Sequence, residues 1–201
     1  MLEPPELLNS SQDTFDMHFY ILTKNAEQWP AIRYATVLEA SNKQFYKLTF
    51  TETGLMDILL ICSPPANIPL TYRNKLASKF RIVLNLSHST DNLSNFQDTI
   101  GELCWASHHS HNFDILDASN LLNGVTPIIT ANATMIENGW QPAQHVDTAI
   151  VLLHPLKQAS KQDIDNYLEQ VSAALNIKSL AAISFGDSRT KSTCNYSVLA
   201  K

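Results

Sequence analysis

Short apolar runs alternate with amphipathic stretches along most of this chain. The run at 55–62 is almost continuously apolar, which is typical of a strand covered on both faces, and 148–153 predicts another buried strand. The apolar run at 81–87 predicts a further strand. The stretches at 91–108 and 160–176 repeat apolar residues at three- and four-residue steps, which predicts helices that pack one face on a sheet. Together these patterns predict an α/β or α+β fold, with a mixed, mostly parallel sheet of about six to seven strands flanked by helices.

Weaker patterns complete the predicted set of elements. Further helices are expected at 26–40, 70–80 and 131–137, and further strands at 17–22, 44–51, 113–117, 125–130, 180–185 and 196–199. Residues 17–62 and 147–199 can each be written as strand–helix–strand–strand, which suggests duplicated ferredoxin-like units. Residues 1–15 have no periodicity and are predicted to be a mobile leader, and residues 16–201 are predicted to form a single domain.

Composition narrows the class of partner and the compartment. Hydrophobic residues make up 44% of the chain, charged residues make up 16%, and the formal net charge is −5, which favours an ordered globule and disfavours general nucleic-acid binding. No apolar run approaches the roughly 20 residues that cross a bilayer, so we expect no membrane partner. The three cysteines are widely spaced and form no CxxC pair, which is typical of a reducing compartment. These features predict a cytoplasmic protein.

Glycine is scarce, and its scarcity limits the chemistry that the backbone can support. The chain holds only five glycines, and none of them forms a GxGxxG, GxxxxGK[ST] or GxSxG motif. Those motifs need small residues so that the backbone can approach a phosphate or present a nucleophile. Nucleotide binding and serine-hydrolase chemistry of the usual kinds are therefore disfavoured.

One candidate metal cluster lies near the end of the predicted helix at 91–108. Cys104 and His108 are four residues apart and would share a helix face. His111 on the following loop, or His88 at the end of the preceding strand, could complete a set of zinc ligands. The alternative is that Cys104 fills the apolar stripe while the histidines interact with the negative end of the helix dipole. That alternative explains the cluster without a metal, so we predict no cofactor and keep zinc as the second interpretation.

A second group of candidates follows the predicted strands. His88, Asp117 and His154 each close a strand, and ligands of open α/β sheets sit beyond the carboxyl ends of parallel strands. A histidine and an aspartate placed there could act as a general base and the carboxylate that orients it. No nucleophile or oxyanion donor stands beside them in a recognisable motif, and Asp117 is equally suited to a strand-ending turn.

The functional prediction follows because neither the metal site nor the catalytic pair is supported by a recognised motif. We predict a non-catalytic cytosolic binding or accessory protein that acts through a protein partner or by self-association, with Leu121, Leu122, Ile136 and Trp140 as a candidate surface. The alternative is a small hydrolase or metal-dependent enzyme that uses His88, Asp117 and the cluster of Cys104, His108 and His111.

Overall fold

The structure is a computed structural model that describes residues 17–39, 56–62, 69–88, 93–109, 115, 127–154, 160–177, 181–184 and 195–201. The described residues contain eight strands: β1 Phe19–Thr23, β2 Ala35–Glu39, β3 Met56–Cys62, β4 Phe80–His88, β5 Ile128–Asn132, β6 Ala149–Leu153, β7 Ala181–Ser184 and β8 Tyr196–Ala200. They also contain four α-helices: α1 Leu70–Ala77, α2 Leu93–His109, α3 Ala133–Glu137 and α4 Lys161–Leu175. A short 3-10 helix, Ala26–Gln28, precedes β2.

All eight strands join one mixed sheet, in the order β2-β1-β3-β4-β5-β8-β6-β7. Five of the pairings are parallel, and the two antiparallel pairings both involve β8. Every strand except β8 therefore runs in one direction, which defines an amino edge where these strands begin and a carboxyl edge where they end. The predicted class, a mixed sheet flanked by helices, is confirmed.

Helices cover both faces of the sheet, because the strands bury side chains on both sides. On one face, here called the α2 face, Ile58, Leu84 and Leu86 share a core cluster with residues of α2 that include Ile100 and Leu103. On the opposite face, α1 packs on β1, β3 and β4, while α3 and α4 pack on β5, β8 and β6. No helix in the described ranges is long and apolar enough to cross a membrane.

Helix α4 shows how directly a strong sequence pattern is realised. Ser160 caps its N-terminus and forms a capping box with Asp163, which satisfies two amides of the first turn. Val171 and Leu175 are buried on the core side, as the apolar stripe predicts. Asn176 ends the helix with φ 55°, a left-handed conformation that asparagine tolerates better than most residues.

The helix predicted at 26–40 is wrong. The 3-10 helix occupies only Ala26–Gln28, and Ala35–Glu39 is strand β2, which pairs in parallel with β1. Tyr34 adopts φ 65°, which no α-helix can accommodate, and β-branched Thr36 and Val37 follow it and favour a strand. The three-residue spacing of apolar residues at 32, 35 and 38 therefore did not reflect a helix.

The strand predicted at 113–117 is not found at its one described residue, and it is not the strand that pairs with β4. Ile115, the one described residue of that segment, is buried with a helical backbone, and the free side of β4 is occupied by β5. The duplicated ferredoxin-like units are not confirmed, because β1, β2 and β3 are all parallel whereas β8 runs against β6. The predicted leader at 1–15 and the predicted strand at 44–51 lie outside the described residues.

Candidate functional site

A turn at the amino edge carries an unusual backbone conformation. The amide of Ala35 donates to the carbonyl of Ile32 (3.3 Å), which closes a turn whose third residue is Tyr34. Tyr34 has φ 65°, in the left-handed region where a turn usually places glycine or asparagine. Its carbonyl accepts from the amide of Phe19 (2.9 Å), so the turn leads directly into the pairing of β2 with β1. A bulky side chain is therefore held where the backbone would favour a small one.

The side chain of Tyr34 belongs to a group of contacting side chains that we call the Arg33 patch, formed by Arg33, Tyr34, Trp105 and His108. The rings of Tyr34 and His108 are stacked, with centroids 3.8 Å apart and planes inclined by 8°. The ring of Trp105 lies at 6.3 Å from that of Tyr34, tilted by 45°. The Cζ atom of Arg33 lies 4.9 Å from the Tyr34 centroid and 5.6 Å from the Trp105 centroid, which is cation–π range. An exposed guanidinium is thus held over two aromatic rings.

His108 is fixed in one tautomer by its own helix. Its Nδ1 lies 2.9 Å from the carbonyl oxygen of Cys104, and a carbonyl only accepts, so Nδ1 carries a proton. Its Nε2 is buried and has no hydrogen-bond partner among the described residues. In the neutral ring that nitrogen is a lone-pair acceptor, so the contribution of His108 to the patch is a flat ring that supports Tyr34.

The residues predicted as zinc ligands are brought together only in part. Cys104 is fully buried in the core under α2, and His108 lies one turn later with its ring against Tyr34. No group of three or more histidine, cysteine, aspartate or glutamate residues could hold a metal ion within the part of the chain that the structure describes. His111 lies outside that part, so a zinc site that includes it stays a prediction.

Two of the residues predicted at strand ends do share the carboxyl edge. His88 ends β4 and His154 follows β6, and both strands run in the same direction. Strands β5 and β8 lie between them, which separates the two backbones by about 14 Å at the usual strand spacing. The residue opposite His88 on β5 is Thr130, and Asp117 lies outside the described residues.

His154 takes part in a buried chain of polar side chains beneath α2. Its Nε2 lies 3.1 Å from the Oγ of Ser197 on β8, and that oxygen lies 3.4 Å from the Oγ1 of Thr99 on α2. Thr99 in turn donates to the carbonyl of Asn95 (3.0 Å). His154, Ser197 and Thr99 are all buried. The sequence prediction missed Ser197, and the available signal was a single serine inside the otherwise apolar end of the chain.

The two groups of candidates lie at opposite edges of the sheet. The ring of His108 is 6.2 Å from that of Phe19, and Phe19 pairs with Ile58, which pairs with Ile82 of β4. His88 lies six residues after Ile82 on β4, which places the two backbones about 20 Å apart at the usual rise per residue. A single active site that used both His88 and His108 would have to span that distance.

The apolar residues predicted as a partner surface are partly accounted for by the core. Ile136 is buried, and Trp140 is half-buried and packs against the cluster under α3 and α4. Both side chains therefore cover the sheet. Leu121 and Leu122 lie outside the described residues.

Comparison of the chain with models of protein families and with curated proteins finds no match. The function is therefore argued from the geometry of the side chains.

Proposed function

We propose that this chain is a non-catalytic binding protein of the cytoplasm that recognises a protein partner through the Arg33 patch. The observation that carries the proposal is the exposed Arg33 guanidinium, which lies over the rings of Tyr34 and Trp105. Arginine, tyrosine and tryptophan are the residues most enriched where protein interfaces concentrate their binding energy. Here all three meet at one place, where Arg33 is exposed, Tyr34 is half-buried and Trp105 is 9% exposed.

The conformation of Tyr34 supports the proposal. A non-glycine residue in the left-handed region costs on the order of 1–3 kcal/mol when the surroundings impose it, and such residues cluster at functional sites. At φ 65°, Tyr34 keeps its ring on His108 and beneath Arg33. Glycine would adopt this backbone conformation without strain, but it would remove the aromatic ring that lies beneath Arg33.

Arg33 is also prepared electrostatically for a partner. No carboxylate in the described ranges forms an ion pair with it. The aromatic rings restrict its side chain before binding, which lowers the conformational entropy lost when a partner arrives. A fixed positive group beside flat apolar rings would give both orientation and affinity.

The proposed compartment is supported by the thiols. Cys62 and Cys104 are buried in one core cluster, where they behave as small apolar side chains. A fold that buries these two cysteines in an apolar core is suited to the reducing cytoplasm.

The test is a quantitative affinity purification from the native cells with three tagged forms of the chain. They are the wild type, Arg33→Glu, and Lys161→Glu as a matched control at an exposed cation on α4, away from the patch. We expect at least one protein that the wild type and the control retain equally and that Arg33→Glu retains about tenfold less, and that should bind directly when purified. Equal retention by all three forms would contradict the proposal. Sedimentation of the same forms over a concentration series covers the case in which the partner is a second copy of the chain.

A hydrolase is the second candidate, and the contact between His154 and Ser197 favours it. At 3.1 Å, Nε2 could accept the Ser197 proton while Oγ bonds to a substrate carbonyl carbon, whose C=O π bond breaks and places its electron pair on the carbonyl oxygen. It ranks second because the Ser197 side chain is buried, at 2% exposure, and its oxygen also contacts Thr99. Labelling with a fluorophosphonate probe decides the matter. Covalent addition at Ser197 that Ser197→Ala and His154→Gln abolish would establish the enzyme, and we expect no labelling.

A further inference from the structure

Strands β2 and β7 are the two edge strands of the described sheet, and no described strand pairs with the other side of β2. The amide of Phe19 donates to the carbonyl of Tyr34, and alternate residues of a parallel strand face the same neighbour. Thr36 and Leu38 therefore face β1, while Val37 and Glu39 direct their amides outward. A neighbouring extended chain would find donors and acceptors along this side.

The direction of such a chain determines where its end would lie. Antiparallel pairing is slightly more stable per residue than parallel pairing. A peptide antiparallel to β2 would run from Glu39 toward Ala35, and its C-terminus would arrive beside the start of the strand. Arg33 stands there, two residues before Ala35. The turn closed by Ile32 and Ala35 ends the ladder at the same point, so the peptide has no further backbone to pair with.

The position of Arg33 suits a terminal carboxylate. A guanidinium is planar and carries its N–H donors in a fixed fork. That fork can hold a carboxylate through two parallel hydrogen bonds. Because Arg33 is exposed and its Cζ atom lies over the rings of Tyr34 and Trp105, the fork is accessible and its position is restrained.

We propose that the segment recognised at this surface is an extended peptide with a free C-terminal carboxylate. The peptide pairs antiparallel with β2, and Arg33 binds the carboxylate. This inference rests on the proposed function and deepens it, because it names the chemistry of the partner. The ligand class is the C-terminal tail of a protein, and an internal aspartate or glutamate is the competing source of the same charge.

The experiment uses two synthetic libraries of random octapeptides, one with free C-terminal carboxylates and one with C-terminal amides. Both are selected on the full chain. Each selected sequence is then made in both forms and titrated by fluorescence anisotropy against wild type, Arg33→Gln and the control Lys161→Gln. Melting curves show whether the two variants remain folded, as expected for exposed positions.

We expect the carboxylate library to yield ligands for the wild type. The dissociation constant of the amide form of each ligand should be at least about tenfold higher than that of its acid form. Arg33→Gln should bind the two forms equally, and Lys161→Gln should behave as wild type. Ligands that bind equally well as acid and amide yet still require Arg33 would overturn this inference and leave the proposed function standing. If neither library yields a ligand that depends on Arg33, the peptide inference falls. The proposed function then falls as well only if the purified cellular partner also binds Arg33→Glu normally.

Discussion

The ring of Tyr34 lies flat on the ring of His108, with centroids 3.8 Å apart and planes inclined by 8°. This contact joins the turn before β2 to the last turn of α2. It ties the beginning of the outer strand to the helix that packs on the centre of the sheet. The stack gives a physical reason for a tyrosine at φ 65°, since the ring contacts offset the cost of the backbone.

The backbone cost at Tyr34 can be isolated with a pair of substitutions. Tyr34→Ala and Tyr34→Gly both remove the ring, but only alanine keeps a Cβ in the left-handed region. We therefore expect the glycine variant to be the more stable of the two by about 1 kcal/mol, the reverse of the usual order in a helix or strand. Urea unfolding measures the difference. An alanine variant as stable as the glycine variant would show that the turn is not strained.

The packing of α2 on the sheet predicts a large effect at Ile100. Ile100 is fully buried and belongs to the same core cluster as Leu84 of β4. Ile100→Ala should lower the free energy of unfolding by about 2–5 kcal/mol, because it removes buried methyl groups and leaves a cavity. Leu70→Ala is the control, since Leu70 is 70% exposed, and its effect should stay within about 0.5 kcal/mol. Equal effects of the two substitutions would contradict the packing.

The capping box of α4 predicts a pH dependence at Asp163. Hydrogen bonds from the Ser160 hydroxyl and then from its amide lower the pKa of the Asp163 carboxyl. A lowered pKa in the folded state stabilises the protein above the ordinary value of about 3.9, and this contribution is lost as the pH falls through the folded value. Ser160→Ala should therefore raise the pKa of Asp163 toward its ordinary value, as measured by an NMR titration of the carboxyl carbon. A pKa that did not move would mean that the box is not formed in solution.

The buried thiols predict low reactivity. Burial raises the pKa of the Cys62 thiol, and the nearby Cys104 raises it further, so Cys62 carries almost no thiolate at neutral pH. In a Cys194→Ser background, a disulfide reagent should modify almost no thiol in the native protein and both remaining cysteines in denaturant. Rapid modification of the native protein would mean that the core opens readily near β3 and α2.

The elements with strong periodic patterns could be predicted from the sequence, because a single requirement, burial of apolar side chains against the sheet, determines those patterns. The stripe and capping box of α4 and the apolar runs of β3, β4 and β6 all express burial against a sheet, and the structure contains each of them. The stretch at 26–40 failed because a single residue, Tyr34, adopts a conformation that depends on a ring contact with a helix more than 70 positions later. Periodicity carries no information about such a contact.

The candidate sites were also predictable only where they did not depend on contacts between residues distant in sequence. His88 and His154 were correctly expected at one edge, since that follows from strand direction alone. Their separation depends on the insertion of β5 and β8 between β4 and β6, and β8 comes from the end of the chain. Ser197 and Arg33 were missed because neither lies in a motif, and each makes its contact with a residue that is distant in sequence.

Amide hydrogen exchange on the complex with the retained partner, or with a selected peptide, tests the central claim most directly. The claim is that recognition occurs along the edge strand β2 and at Arg33, which precedes that strand. Binding should slow exchange at the outward amides of Val37 and Glu39 and leave the amides of His154 and Ser197 unchanged. Protection around His154 and Ser197, with none along β2, would contradict the account and place the function near β6 and β8.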